Sequence, residues 1–129
     1  LDSTLTIFLK NHGLITSAAT ADAALDAHDA VTATIQEALQ CPTFNVNDVS
    51  RCEDMLDAGK VFFPDQVVYT LSGPALLDSQ AGVETGMAYR YILDTIIANK
   101  LTPIYLSPSD VNVIENLESE KYRKDLIQK

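Results

Sequence analysis

The chain has 129 residues, of which 47% are apolar and 21% charged, and these values are ordinary for a globular protein. Its formal net charge of −9 argues against nucleic acid and anionic membranes as partners, because both require a basic surface. No apolar run approaches the length of a membrane span and no signal peptide is visible, so we expect a cytoplasmic protein.

The first predicted element is a strand that is interrupted and then resumes. The strand runs over Leu5–Lys10, where the residues alternate as in a buried or half-buried strand. Gly13 breaks the pattern, and Leu14 and Ile15 resume it. The break predicts a bulge or a tight hairpin near His12 and Gly13.

A long amphipathic helix is predicted next, from Ala21 to about Gln40, with Thr20 as its N-cap. One apolar stripe recurs at steps of three and four residues. Its members are Ala24, His28, Val31, Ile35 and Leu39. Because His28 lies on this stripe, we predict a core histidine with one hydrogen-bonded nitrogen rather than a second metal ligand.

The remaining predicted elements are three helices and one strand. They are a short helix from Asn47 or Asp48 to Gly59, a strand over Gln66–Leu71, a helix over Gln80–Asn99 and a last helix from Ser107 toward Leu126. The sequence "SPSD" at the start of the last helix resembles a capping box. This order predicts an α/β fold, a three-layer α/β/α arrangement in which the Leu5–Lys10 and Gln66–Leu71 strands share one sheet.

The two cysteines, Cys41 and Cys52, lack the spacing of a metal site. Reduced, partly buried thiols are the favoured interpretation, and a disulfide between them stays open.

The histidine in the interrupted strand allows two interpretations. In the first, His12 is a turn residue whose ring bonds a nearby carbonyl group. In the second, Gly13 lets the backbone bend sharply and aim the ring into a cleft. A neutral imidazole there could bind a zinc-like cation or carry a proton near neutral pH. Spacing alone does not choose between them.

The segment "LKNHGLIT", followed by an Ala-rich helix with a mid-helix histidine, resembles the class II aldolase/adducin family. The segments "FFPDQVVY" and "ESEKYRKDL" are similar to its longer sugar-aldolase branch, which includes rhamnulose- and fuculose-phosphate-aldolase-like domains. The resemblance makes residues 1–129 the C-terminal part of a family domain. The start at Leu1, without a methionine and almost directly in a strand, likewise predicts a piece of a longer protein.

The resemblance implies a metal-dependent lyase of carbohydrate metabolism that acts on a sugar or sugar phosphate. It makes His12 the third histidine ligand of a divalent metal, usually zinc, with Asn11 and Gly13 as its positioning neighbours. Such a metal acts as a Lewis acid on the enediolate left when the carbon–carbon bond breaks. The family's His-x-His ligand pair and its acidic catalytic residue have no match here. The catalytic residues are therefore unassigned, and we expect this chain alone to be inactive.

The family leaves other functions open. It includes sugar-phosphate epimerases and a dehydratase, and its adducin branch keeps the fold without the metal site, so a non-catalytic assembly module is the alternative. We expect a homo-oligomer. Family enzymes use a late tyrosine, but none of the five can be matched to that role, and packing is predicted for each: Tyr69, Tyr89, Tyr91, Tyr105 and Tyr122. The charged residues between Glu118 and Lys124 are predicted to form a solvated helix face or a subunit contact.

Overall fold

The computed structural model of the protein describes residues 3–41, 44, 53–71 and 78–117. Within these residues the structure is mixed α/β, with four α-helices and a two-stranded antiparallel sheet. The chain divides into two compact units, Leu1–Pro42 and Thr43–Lys129. The first contains β1 (Leu5–Leu9), β2 (Gly13–Ser17) and α1 (Ala21–Leu39), and the second contains a 3₁₀ helix (Glu53–Leu56), α2 (Pro64–Tyr69), α3 (Gln80–Ala98) and α4 (Pro108–Glu115).

The first unit begins with the predicted hairpin. β1 and β2 pair antiparallel, with Leu5 opposite Ser17, Ile7 opposite Ile15 and Leu9 opposite Gly13. Residues 10–12 form the connecting turn. The expected break near His12 and Gly13 is therefore confirmed as a tight hairpin.

The two faces of this hairpin differ in what covers them. On one face the Thr16 hydroxyl donates a hydrogen bond of 3.0 Å to the Ala24 carbonyl, which joins β2 to α1. Because side chains alternate along a strand, the opposite face carries a different set of residues. That outer face is apolar and exposed, and its members are Leu5, Ile7, Leu9 and Ile15.

Helix α1 has the predicted bounds, and the Thr20 side chain caps it by accepting from the Ala23 backbone N–H at 3.2 Å. The prediction that His28 is a core histidine is wrong, because its side chain is 47% exposed and no residue of α1 is buried. Within this unit, α1 packs on a sheet of only two short strands. Such a sheet is too narrow to bury a whole face of a long helix.

The second unit contains the largest departure from the predicted elements. The segment expected to be a strand, Gln66–Leu71, lies mostly in α2. Pro64 occupies the first helical turn, where a missing N–H costs nothing. Three consecutive apolar residues of α2 are buried: Val67, Val68 and Tyr69. The spacing of apolar residues in this segment therefore follows neither the helical nor the strand period. The prediction that Gln66–Leu71 and Leu5–Lys10 are strands of one sheet is therefore also wrong.

The core of the second unit forms around α2. One cluster joins α2 to α4 and consists of Val61, Val67, Val68, Tyr69, Val111 and Ile114. The other consists of Met55, Phe62 and Tyr89. The Phe62 ring centroid lies 5.1 Å from that of Tyr89 and 4.9 Å from that of Tyr105. Aromatic packing at these distances stabilises a core beyond its buried area.

One fully buried polar side chain, Gln66, connects three segments of this unit. Its Oε1 accepts from the Phe62 backbone N–H at 2.9 Å. Its Nε2 donates to the Met55 carbonyl at 2.9 Å and to the Lys60 carbonyl at 3.3 Å. The Thr70 hydroxyl also donates to Met55 O, at 3.2 Å. These bonds attach the 3₁₀ helix and the loop after it to α2.

Helices α3 and α4 begin where the sequence predicts. Ser79 caps α3, and a complete capping box starts α4: Ser107 Oγ accepts from Asp110 N at 3.2 Å, and Asp110 Oδ2 accepts from Ser107 N at 3.3 Å. Helix α4 ends at Glu115, before the predicted end near Leu126, and the part of that prediction beyond Leu117 lies outside the described residues. Just after this end, the side-chain amide of Asn116 donates to the Asn112 carbonyl at 2.7 Å. This bond competes with the backbone hydrogen bonds of a further helical turn.

Some predictions fall on residues that the structure does not describe. These include the start of the short helix at Asn47 or Asp48, Cys52, and the charged cluster between Glu118 and Lys124. Cys41 is free and half-buried, as expected for a reduced thiol. Among the described residues, no helix is both long and apolar enough to cross a membrane.

Candidate functional site

His12 lies in the turn between β1 and β2, with its side chain exposed. Its backbone N–H donates to the Leu9 carbonyl at 3.0 Å and closes the turn. The residue before it, Asn11, has a φ of 60°, and the residue after it, Gly13, has a φ of 133°. Positive φ at the third position of a turn is typical of type II geometry. Both neighbours of His12 therefore have backbone conformations that few residue types adopt readily.

The amino acids at these two positions suit their backbone angles. Asparagine enters the left-handed region more readily than most residues, and only glycine tolerates a φ near that of Gly13 without strain. A Cβ at Gly13 would have no atom within 4 Å, so the requirement for glycine is conformational and not steric. The predicted bend at Gly13 is confirmed. It holds His12 at the tip of the hairpin.

The imidazole ring of His12 contacts the backbone of its own turn. Nδ1 lies 3.4 Å from the Lys10 carbonyl oxygen. In the tautomer with the proton on Nδ1, the ring donates to this carbonyl and Nε2 keeps a lone pair. Such a backbone contact commonly fixes the tautomer of a metal-binding histidine. The turn-residue interpretation of His12 predicts the same contact, so the contact is compatible with both interpretations, the turn residue and the metal ligand.

The second histidine belongs to a different element of the first unit. His28 lies in α1, where its Nδ1 is 3.6 Å from Asp29 Oδ1. Among the residues that the structure describes, no group of three or more His, Cys, Asp or Glu side chains could hold a metal ion. The described residues therefore supply no complete zinc coordination set.

The described tyrosines are packing residues, as predicted. Tyr69 and Tyr89 are buried, and Tyr105 is half-buried against Phe62. Tyr91 is half-buried and makes an edge-on contact with Phe44, with ring centroids 5.5 Å apart. Tyr122 lies outside the described residues.

The second unit contains a groove that the sequence did not indicate. It has a volume of about 590 Å³, within the range of small-molecule sites. Its described lining combines apolar side chains with an amide and two carboxylates: Phe44, Asp78, Gln80, Val83, Glu84 and Met87. Glu84 Oε1 accepts from Gln80 Nε2 at 2.9 Å. Five of the lining residues lie between Asp78 and Met87, and Phe44 comes from an earlier part of the sequence; they share no motif.

Comparison with protein-family models gives no match, and neither the curated proteins nor the solved structures contain a match to this chain.

Proposed function

We propose that this chain is part of a metal-dependent, aldolase-like lyase that acts on a sugar or a sugar phosphate, and that His12 is one protein ligand of its divalent metal, zinc. The observation that carries the proposal is the exposed imidazole at the hairpin tip, with Nδ1 near the Lys10 carbonyl and Nε2 available. The likeness of "LKNHGLIT" to the class II aldolase/adducin family supplies the reaction class.

The residues of the hairpin have distinct roles in this proposal. Gly13 permits the bend and Asn11 accepts the left-handed conformation before His12. The Lys10 carbonyl contacts Nδ1 of the ring. A bound zinc would stabilise negative charge on the substrate oxygens as a Lewis acid. The other ligands and the acid–base residue belong to the rest of a longer parent protein, so we expect the 129-residue chain alone to bind metal poorly and to lack lyase activity.

The proposal extends to fold and assembly. It places the hairpin and α1 in a three-layer α/β/α domain of a cytoplasmic homo-oligomer. The exposed apolar outer face of the hairpin supports burial against further protein, because a two-stranded sheet is marginally stable alone. The same face favours a second candidate, the non-catalytic assembly module of the adducin type, since exposed apolar patches mark contact surfaces.

One product analysis on the parent protein tests the reaction class. Candidate sugar phosphates are incubated with the purified protein, with the protein after chelation, and with the protein after zinc is restored. Mass spectrometry then separates the outcomes. A lyase gives two smaller carbonyl compounds, an epimerase leaves the mass unchanged, and a dehydratase removes one water. Cleavage that is lost on chelation and restored by zinc supports the proposal. Cleavage that continues after all metal has been removed contradicts the proposal. A protein that is fully stable without metal and converts none of the candidate substrates favours the assembly module.

A further inference from the structure

The first unit contains a single Lys or Arg residue, and this residue lies in the His12 turn. Between Leu1 and Pro42 the sequence has Lys10 as its one such cation against five carboxylates, a formal charge of −4. The carboxylates are Asp2, Asp22, Asp26, Asp29 and Glu37. A phosphate-bearing ligand is repelled by such a surface except where a local cation offsets it.

The turn places this cation close to the imidazole. Lys10 and His12 are two residues apart, so their Cα atoms are separated by no more than about 7 Å. Both side chains are exposed, and both residues belong to the same hydrogen-bonded turn, in which the His12 N–H donates to the Leu9 carbonyl. A flexible lysine stem lets the ammonium group reach a ligand that contacts the imidazole.

We propose that Lys10 is an anion-binding residue, whose ammonium group recognises the phosphate of a ligand held at the His12 turn. The inference rests on the proposed function for the identity of the reacting ligand, and it adds a residue that separates phosphorylated from unphosphorylated sugars. The ammonium group forms a charge-assisted hydrogen bond with the phosphate, and this bond is made in the ground state and in the transition state alike. Removing it therefore raises KM and leaves kcat nearly unchanged.

The chain offers a matched control. Lys100 is also exposed, but it follows α3 in the second unit. Lys100→Met removes the same charge as Lys10→Met, so any effect of net charge alone is equal in the two variants. Lys10→Arg keeps the charge and tests whether a cation at this position is sufficient.

A phosphate titration of the 129-residue chain tests the site without requiring turnover. Inorganic phosphate is added at constant ionic strength while the backbone amides are followed by NMR. We expect saturable shifts confined to the amides of residues 10–13, lost in Lys10→Met and kept in Lys10→Arg and Lys100→Met. Shifts that do not saturate, or that persist in Lys10→Met, overturn the proposal. Unchanged amide spectra of β1 and β2 show that Lys10→Met remains folded.

Kinetics of the parent protein test the role in substrate choice. Lys10→Met should raise KM for a phosphorylated sugar roughly tenfold and leave KM for its unphosphorylated counterpart within about twofold, which corresponds to one charged hydrogen bond. An equal rise for both substrates contradicts phosphate recognition. If the wild-type parent cleaves neither substrate, the proposed function fails, and the phosphate titration still decides whether Lys10 binds the anion.

Discussion

The buried amide of Gln66 gives the sharpest test of the second unit. Gln66→Leu keeps a side chain of similar size and removes all three hydrogen bonds of the amide group. Met55 O retains the Thr70 hydroxyl as a donor, and Lys60 is only half-buried, so its carbonyl can be hydrated. The Phe62 N–H loses its acceptor in a buried setting, and Phe62 is only 5% exposed.

The expected cost follows from these three bonds. A buried donor that loses its acceptor costs about 1–3 kcal/mol, and each of the other lost bonds contributes roughly 0.5–1.5 kcal/mol at most. We expect Gln66→Leu to lower the free energy of unfolding of the second unit by about 2–4 kcal/mol. Thr70→Val should be non-additive with it by at least about 0.5 kcal/mol, because both side chains donate to Met55 O.

Urea denaturation followed by tyrosine fluorescence measures this unit selectively. All five tyrosines lie between Thr43 and Lys129, and the chain contains no tryptophan. Gln80→Leu is the matched control, because Gln80 is exposed and bonds only Glu84 among its described partners. We expect the control to change the free energy of unfolding by less than about 0.5 kcal/mol. Equal effects of Gln66→Leu and Gln80→Leu would refute the claim that the buried amide organises the unit.

Three further changes test local features. Gly13→Ala should destabilise the hairpin by about 1–2 kcal/mol because of the positive φ, and faster hydrogen exchange of the β1 and β2 amides would show it, whereas unchanged exchange would contradict the backbone assignment. Ser107→Ala should cost about 1 kcal/mol through loss of the cap of α4, measured in the tyrosine-monitored urea transition, and no change would mean that the capping box adds no stability. His28→Gln should change stability by less than about 0.5 kcal/mol in thermal melts, since His28 is exposed, and a larger loss would restore the core assignment.

Local sequence signals predicted the elements that depend on local interactions. The capping residues Thr20 and Ser107 and the break at Gly13 each act within a few residues of chain, so the hairpin and the starts of α1 and α4 could be predicted. Helix α2 could not be predicted, because Val67 and Val68 favour a strand and because burial on several sides removes the helical period of its apolar residues.

Burial itself was the least predictable property. Gln66 is fully buried although glutamine is usually exposed, and its hydrogen bonds to Phe62 and to Met55, which lies 11 residues earlier in the chain, explain it. His28 lies on an apolar stripe and is nevertheless exposed, because the amount of sheet available to cover α1 is a tertiary property. For the candidate site, the sequence predicted the turn and the residue His12, and the orientation of the ring came from the structure alone.

The metal content of the proposed longer protein tests the central claim about His12 most directly. Wild type, His12→Ala and the matched control His28→Ala are purified identically, and zinc per subunit is measured by elemental analysis after dialysis. In the proposed site, losing one of three protein ligands leaves an incomplete coordination set, so His12→Ala should lose nearly all bound zinc while keeping its melting temperature. His28→Ala should retain wild-type zinc, since His28 is exposed on α1 and is not a residue of the hairpin turn. If His12→Ala retains zinc at the wild-type level, His12 is a turn residue and not a metal ligand.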